Sequence, residues 1–439
     1  HQTIAALAAV AGTTTAAIAQ QGSIRGAAPL TPIQHRFFEQ AMANRHHWNQ
    51  AILVTAREPL DPTLLEQALN HLVQHHDALR LRFQPQGEGW QAVHADDAPL
   101  ALSLIDGQAW ADGELESQIA THGERLQTSL NISTGPLVGA TWFDLGRSRP
   151  ARLLLVIHHL AVDGVSWRIL LEDLQTVYRQ LQQGEAVALP PKTTAFQQWG
   201  EYLETYGQSA ELGARSPDGQ TLNLTDGTLP LDIPDGLNTI ASAQTLTLSL
   251  EAEETEALLR QVPQAYQSQI NDVLLTALVQ GLAPWTGRSS LLLELEHHGR
   301  DDFEGALDLS RTVGWFTAIA PVQLALPSTE SPGAALMAVK EQLRRPGKPL
   351  DYGVWRYLSL DGANCPEPCQ PALLFNYLGQ FDSSLPEASL FGLAPETQGH
   401  SRDPQALRRH VLEINGRVLA GQLRLDWTYS DQCHRRETI

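Results

Sequence analysis

Cysteine is scarce in this sequence, with three among 439 residues. Cys365 and Cys369 are four residues apart and Cys433 stands alone, so no second pair exists to complete a four-ligand zinc site. Secreted domains that depend on disulfides carry a much denser set of cysteines. We therefore predict a reducing, cytoplasmic environment and treat the three thiols as incidental to function.

Long apolar runs and excess positive charge are also missing. No apolar stretch approaches the roughly 20 residues that cross a membrane as a helix. The 30 Lys and Arg residues are outnumbered by 49 Asp and Glu residues, which gives a net charge of −19. Such a surface repels the phosphates of nucleic acids and of anionic lipids, so the sequence predicts neither nucleic acid nor membrane as a partner.

Several catalytic motifs are absent as well. The sequence has no G-x-S-x-G, no P-loop, no G-x-G-x-x-G, no H-E-x-x-H and no C-x-x-C. These patterns position a nucleophilic serine, bound phosphates, a catalytic zinc ion or a redox pair. The usual hydrolase, nucleotide-binding and metalloenzyme interpretations therefore lack their motifs here.

The sequence instead centres on a strand, a polar turn and a helix. Residues 153–157 (LLLVI) are an apolar run typical of a buried strand, and residues 158–164 (HHLAVDG) follow it. A helical stripe comes next, at Trp167, Leu170, Leu171, Leu174, Val177 and Leu181. Polar side chains between a buried strand and a helix commonly form active sites, which makes this turn the first candidate.

The two histidines and the aspartate of this turn have different expected roles. Adjacent residues of a strand face opposite sides of a sheet, so one of His158 and His159 packs inside while the other faces a cleft. The same geometry argues against a shared metal ion. Asp163 is expected to hold the turn, through its own backbone or an arginine, and Gly164 to permit the turn's conformation.

A second candidate lies at the end of another predicted strand, residues 290–296. Glu294 and Glu296 alternate with leucines and share one face, which is also the pattern of an ordinary half-exposed strand. Glu296 is the last residue before a turn rich in ionisable groups, residues 297–300 (HHGR). A carboxyl group at a strand end that faces a closed cleft has a raised pKa and can act as a base.

Predicted strands and helices occur in both halves of the chain without regular βαβ alternation. This pattern favours two α+β lobes over a Rossmann sheet. Residues 213–236 are rich in Gly, Pro, Asp and Thr and are interpreted as the crossover linker between the lobes. Near the C-terminus, Asn415-Gly416 lies between two apolar strands and predicts a hairpin turn.

These motifs resemble the signatures of a known family. Residues 158–164 match the HHxxxDG signature of the condensation-domain superfamily of nonribosomal peptide synthetases, which is related in fold to chloramphenicol acetyltransferase. The extended form HHLAVDGVSW is similar to the epimerization branch. Residues 296–301 (EHHGRD) resemble EGHGRE, and residues 311–317 (RTVGWFT) and 375–382 (FNYLGQFD) match motifs that mark epimerization rather than condensation. The resemblance covers residues 29–439.

The resemblance implies two chloramphenicol acetyltransferase-like lobes in a V-shaped pseudo-dimer, with the active site in a tunnel between them. It implies an N-terminal lobe at residues 29–212 and a C-terminal lobe at residues 237–439, with residues 213–236 as the linker. Residues 1–28 are identified as the end of an upstream carrier domain followed by a linker.

The implied activity is epimerization, from L to D, at the Cα of an aminoacyl or peptidyl thioester. The substrate would be carried on the phosphopantetheine arm of a carrier domain, and the enzyme would need no cofactor of its own. The implied partners are the upstream peptidyl carrier domain and the downstream condensation domain of the next module.

The resemblance also implies site residues. His159 and Glu296 would be the acid and base, with Tyr377 near the enolate or as a proton relay. The implied supporting residues are His158, Asp163, Gly164, Asp173, Arg300 and Asn376. Arg300 is the expected partner of Asp163, whereas Asp173 is either a functional position or a solvated helix residue.

Two other functions of the same fold stay open. A condensation domain would use His159 to form a peptide bond, and a recruitment module would bind a partner enzyme without catalysis. The sequence does not identify the amino acid, distinguish aminoacyl from peptidyl substrate, or assign the two faces of Cα to particular residues.

Overall fold

The computed structural model describes residues 19–96, 99–214, 224–300, 307–327, 331–344, 348–360, 370–380 and 388–439. The predicted carrier-domain helix in residues 1–11 lies outside these ranges, as do Cys365, Cys369, Asp301 and residues 381–382. Within the described ranges, no helix is both long enough and apolar enough to cross a membrane.

The N-terminal half mixes strands and helices. In chain order its elements are β1 (Gly26–Ala28), α1 (Pro32–Glu39), β2 (Asn49–Ala56), α2 (Pro62–His75), β3 (Leu81–Gln86), β4 (Gly89–His94), β5 (Leu102–Asp106), α3 (Leu115–Ser129), β6 (Val138–Asp144), β7 (Arg152–His158), α4 (Gly164–Gln183), α5 (Phe196–Gly207) and α6 (Ala210–Ala214). Helix α2 begins after Asp61, because the Asp61 carboxylate accepts the N–H of Thr63 at 2.8 Å.

The C-terminal half has the same mixed character. In chain order its elements are β8 (Ala243–Ser249), α7 (Ala252–Glu256), α8 (Val262–Tyr266), α9 (Ile270–Thr286), β9 (Ser290–His297), β10 (Ala318–Ala325), α10 (Pro332–Leu343), α11 (Pro349–Leu358), β11 (Leu373–Gln380), β12 (Phe391–Leu393), β13 (Leu412–Leu419) and β14 (Gln422–Ser430). The predicted α+β class is confirmed.

Two large sheets organise these elements. The N-terminal sheet has the order β12-β2-β7-β6-β5, and the C-terminal sheet has the order β10-β9-β11-β13-β14-β8. A small sheet, β1-β4-β3, accompanies them. Strand β7 lies at the centre of the N-terminal sheet and is buried along its whole length, which accounts for its unbroken apolar sequence.

The predicted C-terminal range contributes a strand to the N-terminal sheet. Strand β12 pairs with β2, although it belongs to the predicted C-terminal range 237–439. Leu350 and Trp355 of α11 also pack in the N-terminal core. Because β12 covers an edge of β2 that would otherwise be unpaired, residues 237–439 do not describe the C-terminal lobe alone. The division into lobes at residues 29–212 and 237–439 remains a proposal, with β12 placed in the N-terminal sheet.

The predicted hairpin turn at Asn415-Gly416 is wrong. Strand β13 runs through both residues, and the turn into β14 lies at Ala420 and Gly421, whose φ angles are 51° and 73°. A Cβ on Gly416 would lie within 3.2 Å of the Tyr377 ring. The glycine therefore serves close packing across the sheet rather than a turn.

Candidate active site

The predicted strand, turn and helix are present and are called the histidine corner below. They are β7, one turn of 3₁₀ helix (His159–Ala161) and α4. His158 is fully buried at the end of β7. Its Nε2–H donates to the carbonyl of Arg45 at 2.9 Å, and its Nδ1 accepts the N–H of Leu160 at 3.2 Å. Burial lowers the pKa of His158 to about 3, so this ring is neutral and structural, as strand alternation predicts for one of the two histidines.

The second histidine, His159, has one ring nitrogen with a positioned lone pair. Its Nδ1–H donates to the carbonyl of Val162 at 2.8 Å, so Nε2 is the acceptor and receives the Gln50 amide at 3.1 Å. The indole N–H of Trp167 fixes that amide by donating to its oxygen at 2.8 Å. Burial lowers the pKa of His159 to about 4. A neutral imidazole held in this way can take a proton.

Asp163 ties this corner to the second half of the chain. Its carboxylate caps α4 by accepting the N–H and the hydroxyl of Ser166, both at 2.8 Å. The carboxylate also accepts the guanidinium of Arg300 at 3.1 Å and 3.2 Å, and the N–H of Phe316 at 3.2 Å. The predicted pairing of Asp163 with Arg300 is confirmed.

Arg300 holds residues 311–317 in place beside His159. Its guanidinium donates to the carbonyl of Thr312 at 2.7 Å and lies 3.9 Å from the centre of the Phe316 ring. Trp315, in the same segment, packs on the imidazole of His159 with 4.3 Å between ring centres. The RTVGWFT segment thus positions a candidate catalytic ring.

Gly164 does not have the role predicted for it. It is the first residue of α4, and its φ angle is not positive. A Cβ on Gly164 would have no atom within 4 Å. The backbone of this turn therefore does not require glycine, and the space beside Gly164 is open.

Asp173 is not a solvated helix residue. It is 2% exposed, and it accepts the Nε2–H of His76 at 2.9 Å and the guanidinium of Arg311 at 2.5 Å. Among the described residues, His75, His76 and Asp173 form a cluster whose geometry could hold a metal ion. Arg311 and Lys192 line the same region, and their charges oppose a cation there. We therefore assign Asp173 to anchoring α4 on Arg311.

Glu294 and Glu296 share one face of β9 but have opposite environments. Glu294 forms an ion pair with Arg36 at 2.6 Å and a hydrogen bond with Nε2 of His410 at 2.5 Å. Burial raises its pKa, but His410 and Arg36 outweigh that effect and lower the pKa to about 2. The carboxyl group of Glu296 has no hydrogen bond to a described residue, and burial raises its pKa to about 7. Glu294 is buried whereas Glu296 is partly exposed at the end of the strand, and Glu296 can hold or release a proton near neutral pH.

His159 and Glu296 belong to one region of the molecule. The charge of Arg402 lowers the pKa of both groups. Contacts along one segment of the chain also connect the two residues. Trp315 packs on His159, and Ile319, four residues after Trp315, pairs with Glu296. The tunnel between the lobes remains a prediction.

Asn376 and Tyr377 are adjacent on β11 and face opposite sides of the sheet. Asn376 pairs in register with Glu296 and faces the same side. The Tyr377 ring packs over Gly416 on the apolar side, where burial raises the pKa of its hydroxyl. This arrangement does not support the predicted position of Tyr377 near the enolate, and Asn376 is the β11 residue beside Glu296.

The sequence reasoning missed Gln50 and Arg402 as members of this region. Gln50 lies on β2, directly opposite Ile157 of β7. A polar residue at the start of a strand that pairs with the histidine strand was the available signal. Arg402 lies between β12 and β13, where no periodic pattern pointed to it.

Comparison with known proteins identifies the family. Residues 24–439 match the Condensation domain family. The chain therefore belongs to this family, the superfamily of nonribosomal peptide synthetase domains that its motifs indicated. The resemblance to epimerization domains is confirmed at the level of family and fold.

The chain is similar to several individual members of this family. The epimerization domain from the third module of tyrocidine synthetase B has a TM-score of 0.87 and 33% identity, over 96% of this chain and 94% of that one. An X-domain from teicoplanin biosynthesis, 18% identical with a TM-score of 0.72 over 93% and 91% of the chains, shares the fold. A linear gramicidin synthase protein of Brevibacillus parabrevis is 43% identical over 100% of this chain, which spans 9% of that relative's length.

Proposed function

We propose that this domain epimerizes the Cα of an aminoacyl or peptidyl thioester carried on phosphopantetheine, from L to D. The observation that carries the proposal is a pair of groups with complementary proton states. His159 is neutral with a positioned lone pair, whereas Glu296 is protonated up to about pH 7. The structural similarity to a tyrocidine synthetase epimerization domain supports the same activity.

The pair accounts for the chemistry without any other reactant. The Gln50 amide gives up its hydrogen bond to Nε2 of His159, and Nε2 takes the Cα proton. The C–H electron pair shifts toward the thioester carbonyl to give an enolate. Glu296 then donates its proton to the opposite face of Cα, and the carbonyl re-forms. The reverse direction starts from protonated His159 and ionised Glu296, so one proton shared by the pair serves both directions. Asn376, beside Glu296 on the same face, can orient the carboxyl group or the substrate.

The proposed activity also implies which domains act before and after this one. The substrate would arrive on an upstream peptidyl carrier domain, and the product would pass to the condensation domain of the next module, in the cytoplasm. No cofactor of the domain's own is needed, because the thioester itself acidifies Cα. Residues 29–212, 213–236 and 237–439 would form the two lobes and their linker, with β12 crossing between the lobes.

The proposal can be tested by deuterium incorporation. The cognate carrier domain, loaded with an L-aminoacyl or L-peptidyl thioester, is incubated with the domain in heavy water, and the product is separated into diastereomers. We expect deuterium at Cα together with the D-isomer. A domain that joins the substrate to an acceptor amine while Cα keeps its hydrogen would instead be a condensation domain. A domain that binds its partner enzyme but does neither would be a recruitment module.

We expect the rate of inversion to fall as the pH rises above about 7. Between the pKa of His159, about 4, and that of Glu296, about 7, the pair holds one proton. Above this range Glu296 ionises, and no proton remains for the enolate. Initial rates of D-isomer formation across this pH range should show a descending limb near neutrality. A rate that keeps rising into alkaline pH would contradict the assignment of Glu296 as the acid.

A further inference from the structure

Arg402 lies directly beside the histidine corner although its sequence position is remote. Arg402 and Trp48 form an antiparallel bridge, and the neighbouring N–H of Asn49 donates to the carbonyl of Ser401 at 2.7 Å. The carbonyl of Trp48 in turn accepts the N–H of His159 at 2.9 Å. One residue therefore links the backbones of Arg402 and His159.

The guanidinium of Arg402 carries a charge that its surroundings do not neutralise. It stacks on the Trp48 ring at 4.0 Å from the ring centre. Within the described part of the chain it makes neither a hydrogen bond nor an ion pair, because Glu413, the carboxylate that acts on it most strongly, is paired with Arg408 at 3.2 Å. Stacking on an aromatic ring holds a guanidinium in place and leaves its N–H groups free to donate.

This charge acts on both members of the proposed acid/base pair. Arg402 lowers the pKa of Glu296 and of His159, which means that it favours an extra negative charge in their neighbourhood. The other charged groups that act on the pair are Asp163, Glu413 and Arg36. Asp163 and Glu413 are already paired with arginines, and Arg36 is paired with Glu294. Arg402 is thus the cation of this set that has no described anionic partner.

We infer that Arg402 binds the thioester carbonyl oxygen of the substrate and stabilises the enolate that forms when Cα loses its proton. This inference rests on the proposed function and adds the group that the acid/base pair does not supply. A neutral His159 and a protonated Glu296 leave Arg402 as an uncompensated positive charge, and the enolate oxygen is the negative charge that matches it. Donors placed where charge develops contribute more in a partly buried site than in water.

Three variants separate charge from packing. Arg402→Met keeps the apolar stem over Trp48 and removes the charge, whereas Arg402→Lys keeps the charge and loses the planar donor group. Arg149→Met is the control, because Arg149 is also a partly exposed arginine, is paired with Asp112 and lies beyond the opposite end of β7. Each protein is assayed with carrier-bound substrate for single-turnover inversion, for its pH profile and for its melting temperature.

We expect Arg402→Met to lower the rate of inversion by about 100-fold, the usual effect of removing one such donor. Arg402→Lys should retain at least about tenfold more activity than Arg402→Met, and Arg149→Met should behave like the wild type. The descending limb of the pH profile should move to higher pH in Arg402→Met, because Arg402 lowers the pKa of Glu296. A residue that acts only through packing would not move this limb.

Two results would overturn the inference while the proposed function stands. One is a folded Arg402→Met protein that inverts substrate within about threefold of the wild type. The other is a folded Arg402→Lys protein as inactive as Arg402→Met, with the pH profile of the residual activity unchanged. Failure of the wild-type domain itself to exchange the Cα hydrogen would instead refute the proposed function.

Discussion

Replacement of Glu296 by glutamine should abolish inversion and leave the domain folded. Glutamine can neither give nor take a proton, and acid/base groups of this kind contribute roughly 100- to 10,000-fold. The fold should tolerate the change, because the Glu296 carboxyl group makes no hydrogen bond to a described residue. Its pKa is raised to about 7 in the folded chain, so ionisation of the wild-type carboxyl costs stability as the pH rises from its ordinary value of 4.5. Above neutral pH, Glu296→Gln should therefore melt at or above the wild-type temperature.

Glu294 provides a matched control two residues away on the same strand face. Its pKa is lowered, so its ion pairs stabilise the fold above the ordinary glutamate pKa, and Glu294→Gln would leave Arg36 without its partner at 2.6 Å. Breaking such a buried pair costs about 3–5 kcal/mol, which should appear as a lower melting temperature. Deuterium exchange and thermal melts distinguish the two variants. Full D-isomer formation by Glu296→Gln would remove this carboxyl group from the mechanism.

Replacement of Asp163 by alanine should lower both stability and activity. The Asp163 carboxylate joins the first turn of α4 to Arg300 and to the N–H of Phe316. Its loss leaves a largely buried guanidinium unpaired, at a cost of about 3–5 kcal/mol. Activity should fall together with stability, because residues 311–317 would lose their position and Trp315 would no longer pack against His159. His159→Ala, in contrast, should lose activity at a nearly unchanged melting temperature.

A double-mutant cycle checks this assignment. Arg300→Ala should lose both stability and activity, as Asp163→Ala does, and the double variant should lose less stability than the sum of the single variants. Denaturant unfolding gives the free energies, and single-turnover inversion gives the activities. If Asp163→Ala melts like the wild type and is nevertheless inactive, Asp163 belongs with the catalytic groups rather than with the architecture.

The histidine corner was predictable because its determinants are local. A short apolar run followed by a helical stripe fixed strand β7 and helix α4, and strand alternation separated His158 from His159. The raised pKa of Glu296 followed from its place at a strand end before a polar turn. The Asp163–Arg300 pair rested on the choice of one arginine within a motif, and the ion pair is present.

The features that local patterns did not reveal depend on contacts between distant parts of the chain. Asn415-Gly416 has the composition of a tight turn, but Gly416 is needed where the Tyr377 ring crosses β13. The face of Tyr377 depends on the register between β9 and β11, which no local pattern contains. Arg402 became visible only when its bridge to Trp48 was known. In each case the deciding neighbour is far away in sequence.

Strand β12 and the segment after it also have a consequence for biosynthesis on the ribosome. The hydrogen bond from Gln398 to the carbonyl of Ala51 joins residues 347 positions apart. At about 5–20 residues per second, the outer edge of β2 therefore waits roughly 17–70 s for its partner to be translated. An open strand edge invites pairing with other chains during that interval. A chimaera spliced at residues 213–236, the proposed linker, would receive this strand from a foreign parent, so recombination points outside residues 24–439 preserve the sheet.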